Sequence, residues 1–127
     1  MPDGKKPTTA ELEILNVLWR LGPATVRQVH EELRRKRATG YTTVLKLMQI
    51  MTEKGLLKRD DSARAHLYRP AAGRGRTQRQ MVRDLADRLF GGSAAALAIQ
   101  ALSNKPASRQ ELEEIRRMLD ELERGGS

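Results

Sequence analysis

Thr42, Thr43, Lys46 and Gln49 are the side chains of this sequence whose types and spacing suit recognition chemistry. Within a helix running from Tyr41 to Lys54 they lie on one face, opposite the apolar stripe Val44, Leu47, Met48 and Met51. An ammonium such as that of Lys46 donates to guanine O6 and N7 or to a phosphate. Threonine hydroxyls donate to phosphate, their methyl groups touch thymine, and a glutamine is flexible enough to reach base edges. No carboxylate interrupts this face before Glu53, as expected of a surface that meets the phosphate field of a nucleic acid. Local capping of the helix start is the competing role for Thr42 and Thr43, and the two roles can coexist.

Other chemistries find little support. The chain has no Cys, which removes disulfides, thiolate nucleophiles and thiolate metal sites together. Its two histidines, His30 and His66, fall in different elements without metal-ligand spacing, and no phosphate-binding glycine loop or nucleophile motif is present. We therefore expect no enzyme, no cofactor and no metal. His66 reads as a packed or hydrogen-bonded strand residue and Trp19 as a core residue.

The charge balance agrees with a polyanionic partner. Of 127 residues, 24 are Lys or Arg and 16 are Asp or Glu, a formal charge of +8. Residues 1–73 carry 14 basic and 8 acidic groups, whereas residues 74–127 carry 10 and 8. The first part is thus +6 and the second +2, and within the second, residues 91–127 hold five basic and six acidic groups, a balance suited to protein contact. No run is long and apolar enough to cross a bilayer, and the polar start Met1 to Thr9 lacks the apolar core of a signal peptide, so a cytoplasmic protein without membrane insertion is expected.

The elements that must position these side chains are marked by capping signals. Thr8-x-x-Glu11 and Thr25-x-x-Gln28 have capping-box spacing, predicting helices whose apolar positions are Leu12, Ile14, Leu15, Leu18 and Trp19 in the first and Val26, Val29 and Leu33 in the second. Gly22-Pro23 ends the first. The second ends in Arg34, Arg35, Lys36 and Arg37, which read equally as phosphate contacts or as a solvated helix end complementing the dipole. Thr39-Gly40 breaks the chain before the third helix, and Gly55 caps that helix. Leu56 to Arg59 and Ala65 to Arg69 read as strands of a hairpin around the turn Asp60 to Arg64. Arg59 and Arg64 flank this turn and reach toward a neighbouring backbone or minor groove, with Asp60 and Asp61 weakening the local potential. Pro70 and the stretch Ala71 to Gly75 are expected to act as a hinge.

Beyond the hinge, Gln80 to Phe90 is predicted helical, with Met81, Val82, Leu85 and Leu89 on one side. Ser93 caps a small apolar helix, Ala94 to Leu102, expected to be buried between other helices. Pro106 ends it, and the box Ser108-x-x-Glu111 starts a last helix with Leu112, Ile115, Leu119 and Leu122 in line. These helices hold more apolar surface than they can bury alone. Leu85, Leu89, Leu97, Ile99, Leu102, Leu112, Ile115, Leu119 and Leu122 are accordingly expected to form a homodimer contact.

Three helices and a hairpin in this order are those of a winged helix-turn-helix. The expected architecture is mainly α with a small β-hairpin: a winged-helix DNA-binding domain over residues 1–73 and a helical dimerisation region over residues 74–127. The third helix would enter the major groove of a double-stranded operator. A winged helix used only for protein contact is the alternative, and salt-sensitive duplex binding separates the two.

Several segments together resemble the BlaI/MecI penicillinase-repressor family: Pro7 to Trp19, Thr25-Val26-Arg27-Gln28-Val29, Tyr41-Thr42-Thr43-Val44, Lys54-Gly55-Leu56-Leu57 and Ala65-His66-Leu67-Tyr68. The likeness covers nearly the whole chain, although its C-terminal part rests on Gly91-Gly92 and the helix pattern. It implies a homodimeric repressor on a palindromic operator, read by the third helix and controlling β-lactam resistance or stress genes. In relatives tied to β-lactam resistance, a membrane sensor system triggers cleavage of the dimerisation segment at an Asn-Phe bond. Ala94 to Leu102 contains no such pair and no aromatic residue, which argues against that specific chemistry while leaving a regulatory protease or sensor open as a partner. Copper-responsive relatives carry a C-terminal cysteine cluster that this chain lacks.

Overall fold

The computed structural model describes residues 6–125, so the first five residues of the polar start lie outside the described part. Two compact units are formed, Met1–Met81 and Val82–Ser127.

In the first unit, α1 (Thr9–Leu21), α2 (Val26–Arg34) and α3 (Tyr41–Lys54) precede the strands β1 (Leu57–Asp60) and β2 (Leu67–Pro70). Both predicted capping boxes form. The Glu11 amide donates to Thr8 Oγ1 at 3.2 Å while the Thr8 amide donates to Glu11 Oε1 at 2.9 Å, and Thr25 with Gln28 repeats the exchange. At the far end of α3, Gly55 adopts the left-handed conformation (φ 86°, ψ 10°) that a side chain would strain.

The core is assembled from Ile14, Leu15, Val17 and Leu18 of α1, Val26, Val29 and Leu33 of α2, and Val44, Met48 and Met51 of α3, closed by Leu57 and Tyr68 of the hairpin. Leu47, expected in the α3 stripe, is partly buried and packs against this cluster together with Leu45. The antiparallel register pairs Leu57 with Pro70 and Asp60 with Leu67. A third extended segment joins them: Ala24, between α1 and α2, exchanges two backbone hydrogen bonds with Tyr68 (3.0 and 2.8 Å).

The hairpin is displaced from its expected limits. Leu56 is not in β1, because its amide donates to the Met51 carbonyl and so completes the α3 cap. Pro70, expected to follow the hairpin, is its last paired residue; the end of an edge strand tolerates a missing N–H. Ala65 and His66 lie in the connecting loop. There His66 is exposed, with Nδ1 3.2 Å from the Asp61 carboxylate, while Tyr68 is buried.

The next helix, α4 (Arg74–Leu89), begins six residues earlier than its apolar periodicity suggests, and Gly75, assigned to the hinge, is inside it. Its first turns are polar and give no periodic signal. Trp19 holds the chain just before them: its indole Nε1 donates to the Ala72 carbonyl at 3.1 Å, and the Arg74 guanidinium lies 5.6 Å from the ring centroid.

The second unit contains the end of α4, then α5 (Ala94–Asn104) and α6 (Arg109–Gly125). Ser93 caps α5 through the Ala96 amide, and Ser108 with Glu111 forms the third capping box. One expectation fails here. Helix α5 has no buried residue, and Ala86 is the unit's single buried hydrophobic among the described residues. Three short helices of one chain present too little surface to enclose so apolar a segment. Among the described residues no helix is long and apolar enough to cross a membrane.

Candidate nucleic-acid interface

Helix α3 is oriented by burial of one side: Val44, Met48 and Met51 are wholly enclosed, so the opposite side must face outward. Thr42, Thr43, Lys46 and Gln49 all fall on that exposed side. Among the described residues none of the four has a hydrogen-bond or ion-pair partner within the chain. Their polar groups are therefore held in place by the helix without being engaged.

Gly40 is the N-cap of α3, and no side chain caps the helix start. Thr42 and Thr43 thus do not perform the capping role that competed with recognition. The first amides of α3 stay open, and the positive end of the helix dipole is not offset by any acidic residue in the first turn. Toward the other end the electrostatics reverse. Gln49 borders a shallow groove with Thr52, Glu53, Arg59, Asp61 and Tyr68, where two carboxylates accompany one guanidinium. Anion binding is consequently favoured at the N-terminal half of the face.

The approach to α3 is braced by His30, whose Nε2–H donates to the Thr39 carbonyl at 2.7 Å and whose ring meets Tyr41 edge-on at 5.7 Å. The basic run after α2 divides in two. Arg35 lies 3.7 Å from Glu32 and Arg37 pairs with Glu13, whereas Arg34 and Lys36 are exposed without a partner among the described residues. Arg34 and Lys36 are the freer cations of this run, all four of which are exposed.

In the hairpin, Arg59 and Arg64 differ in the same way. Arg59 Nε is 2.8 Å from Asp61, and the Tyr68 hydroxyl followed by the Asp61 carboxylate raises the guanidinium's pKa above its ordinary value. Arg64 is exposed in the loop with no partner among the described residues. Arg64 is hence the freer of the two cations.

One structural element of the site was missed at the sequence level. Lys54 Nζ lies 2.7 Å from Glu11 Oε1 and 3.2 Å from the Lys6 carbonyl, closing the end of α3 onto the start of α1. Each residue already had a local explanation, Glu11 in a capping box and Lys54 in a last helical turn, and nothing local signals their pairing. No cluster of three or more His, Asp or Glu that could hold a metal ion occurs among the described residues.

Comparison with known proteins adds an independent line. A family model described as penicillinase repressor matches residues 7–121. The "Transcriptional regulator BlaI" of Mycobacterium tuberculosis (strain CDC 1551 / Oshkosh) is 37% identical, over 91% of this chain and 83% of its own length. The "Penicillinase repressor" of Staphylococcus aureus is 20% identical over 89% of this chain and 90% of its own. The "Methicillin resistance regulatory protein MecI" of Staphylococcus aureus (strain N315) is also 20% identical, over 89% and 92% respectively.

Proposed function

Because the chain belongs to the penicillinase repressor family, we propose that it represses transcription by binding a palindromic DNA operator as a homodimer, with α3 in the major groove. The observation that carries this reading is the exposed face of α3, on which Thr42, Thr43, Lys46 and Gln49 stand unengaged. Lys46 and the two threonines supply the main contacts to bases and phosphates, and Gln49 extends them along the groove. Arg64 follows the neighbouring phosphate backbone, while Arg59 contributes less because Asp61 already neutralises it. Residues 1–73 serve as the DNA-binding domain and residues 74–127 as the dimerisation region.

The dimer is argued from the second unit alone. Leu85, Leu89, Ile99, Leu102, Leu112, Leu119 and Leu122 are exposed in the single chain, with Leu97 and Ile115 half-buried. A two-fold related copy would cover them and place two reading helices on half-sites about 10 bp apart or a multiple of that. Induction would follow from any event that loosens or cuts α5, including the action of a regulatory protease. The names of its relatives point the target genes toward β-lactam resistance.

Duplexes selected from a random pool by the full-length protein test the reading. Binding should be sequence-specific and should weaken steeply as salt rises. Enrichment of no common sequence, or affinity indifferent to salt, would leave the protein-contact alternative in its place.

A further inference from the structure

The outward face of α3 carries one apolar side chain that the contacts proposed above do not use. Ile50 is 39% exposed, and it is neither in the core nor among the partly buried residues packed on it. It follows Lys46 by four residues and Thr43 by seven, so all three occupy one face of the helix. The remaining aliphatic and methionine residues of α3 are accounted for: Val44, Met48 and Met51 in the core, Leu45 and Leu47 against it. Tyr41, its aromatic residue, rests against His30.

An isolated exposed isoleucine is ordinary on a protein surface. What distinguishes Ile50 is its place on the face that carries hydroxyl, amide and ammonium groups in the turns before it and the Glu53 carboxylate in the turn after it. In the major groove the four unmodified bases differ in apolar character at one feature only, the 5-methyl group of thymine. A β-branched side chain suits contact with it, because its χ1 is restricted in a helix and little further freedom is lost on binding. Taking α3 as the reading helix, we infer that Ile50 is a specificity-determining residue that recognises the 5-methyl group of one thymine in each half-site. Lys46 and the threonines then select hydrogen-bonding edges, and Ile50 selects T·A over the other pairs at its own position.

The test uses full-length protein and a duplex recovered by selection from a random pool. Each thymine is replaced in turn by deoxyuridine, which removes the methyl group and leaves base pairing intact, and affinity is read by fluorescence anisotropy. Wild-type protein should lose affinity about four-fold at one position per half-site, the worth of one buried methyl group. Ile50→Ala, checked by circular dichroism to keep its helices, should bind the thymine duplex more weakly and make no distinction between thymine and deoxyuridine there. If no replacement weakens the wild type, or if Ile50→Ala shows the same sensitivity as the wild type, Ile50 does not read thymine although α3 can still be the reading helix. Failure of the selection to enrich any sequence would overturn the reading-helix assignment itself, and this inference with it.

Discussion

Lys54 Nζ lies 2.7 Å from the Glu11 carboxylate, so the last turn of the proposed reading helix is fastened to the first turn of α1. Glu11 is the one buried charged residue among the described residues, 2% exposed, and it also accepts the Thr8 amide. A carboxylate in that position is held by a charge partner and a backbone donor together, which offsets part of its desolvation.

Removing the partner should therefore cost more than removing the pair. Lys54→Met is expected to destabilise the protein by about 3 kcal/mol, toward the low end for a broken buried pair because the lysine is still partly exposed. The double variant Glu11→Gln/Lys54→Met keeps a capping side chain and leaves no unpaired charge, so it should recover much of that loss. Urea unfolding of the three proteins checks the order, and a double variant less stable than Lys54→Met would contradict this account of the pair.

Lys46→Ala should weaken binding to the selected operator by roughly 1–3 kcal/mol, the range of a good base contact, with a smaller effect on random duplex. Arg64→Ala should instead weaken both duplexes evenly and lower the slope of log affinity against log salt by about one phosphate contact. Titrations at several salt concentrations distinguish the two patterns. Undiminished operator binding by folded Lys46→Ala would remove Lys46 from the reading face.

Leu119 is 53% exposed in the single chain, so Leu119→Glu is expected to leave the monomer folded while burying a charge in any two-fold contact. Sedimentation should show a shift from dimer to monomer. Operator affinity should fall on the order of a hundred-fold, since the second half-site is no longer engaged through the same molecule. A variant that still sediments as a dimer would place the interface elsewhere.

Glu111 has its pKa held below the ordinary carboxylate value, first by the Ser108 backbone amide and then by the Ser108 hydroxyl. A depressed folded-state pKa means that the contribution of this cap is complete above the ordinary carboxylate value of the unfolded chain and disappears as pH falls through the folded one. Helicity of the wild type should thus decline on acidification in part through this group. Glu111→Gln, which retains an acceptor that does not titrate, should show a smaller decline over the same window by circular dichroism. Equal declines would mean that the cap carries no measurable share.

Much of the first unit was legible because its determinants are local. Threonine followed three residues later by Glu or Gln, glycine after a last helical turn, and apolar residues three or four apart state where α1, α2 and α3 lie and which side of each is buried. The exposed positions of Thr42, Thr43, Lys46 and Gln49 follow from the same periodicity. Where local signals conflict or fall silent, the reading slips: Leu56 looked like a strand residue but completes a helix cap, and the polar first turns of α4 carry no period.

The order of elements, the polar face of α3 and the apolar content of α5 and α6 are readable from the residues alone, since each depends on neighbours within a turn or two. Packing alone settles which distant charged groups are engaged: Lys54 with Glu11, Arg37 with Glu13, and Arg64 with none among the described residues. It likewise decided that Trp19 holds the chain ahead of α4 through the Ala72 carbonyl, 53 residues away. The physical reason is range. Caps and amphipathic faces are set by backbone geometry over a few residues, whereas an ion pair between distant segments exists only where packing brings two particular side chains within about 4 Å.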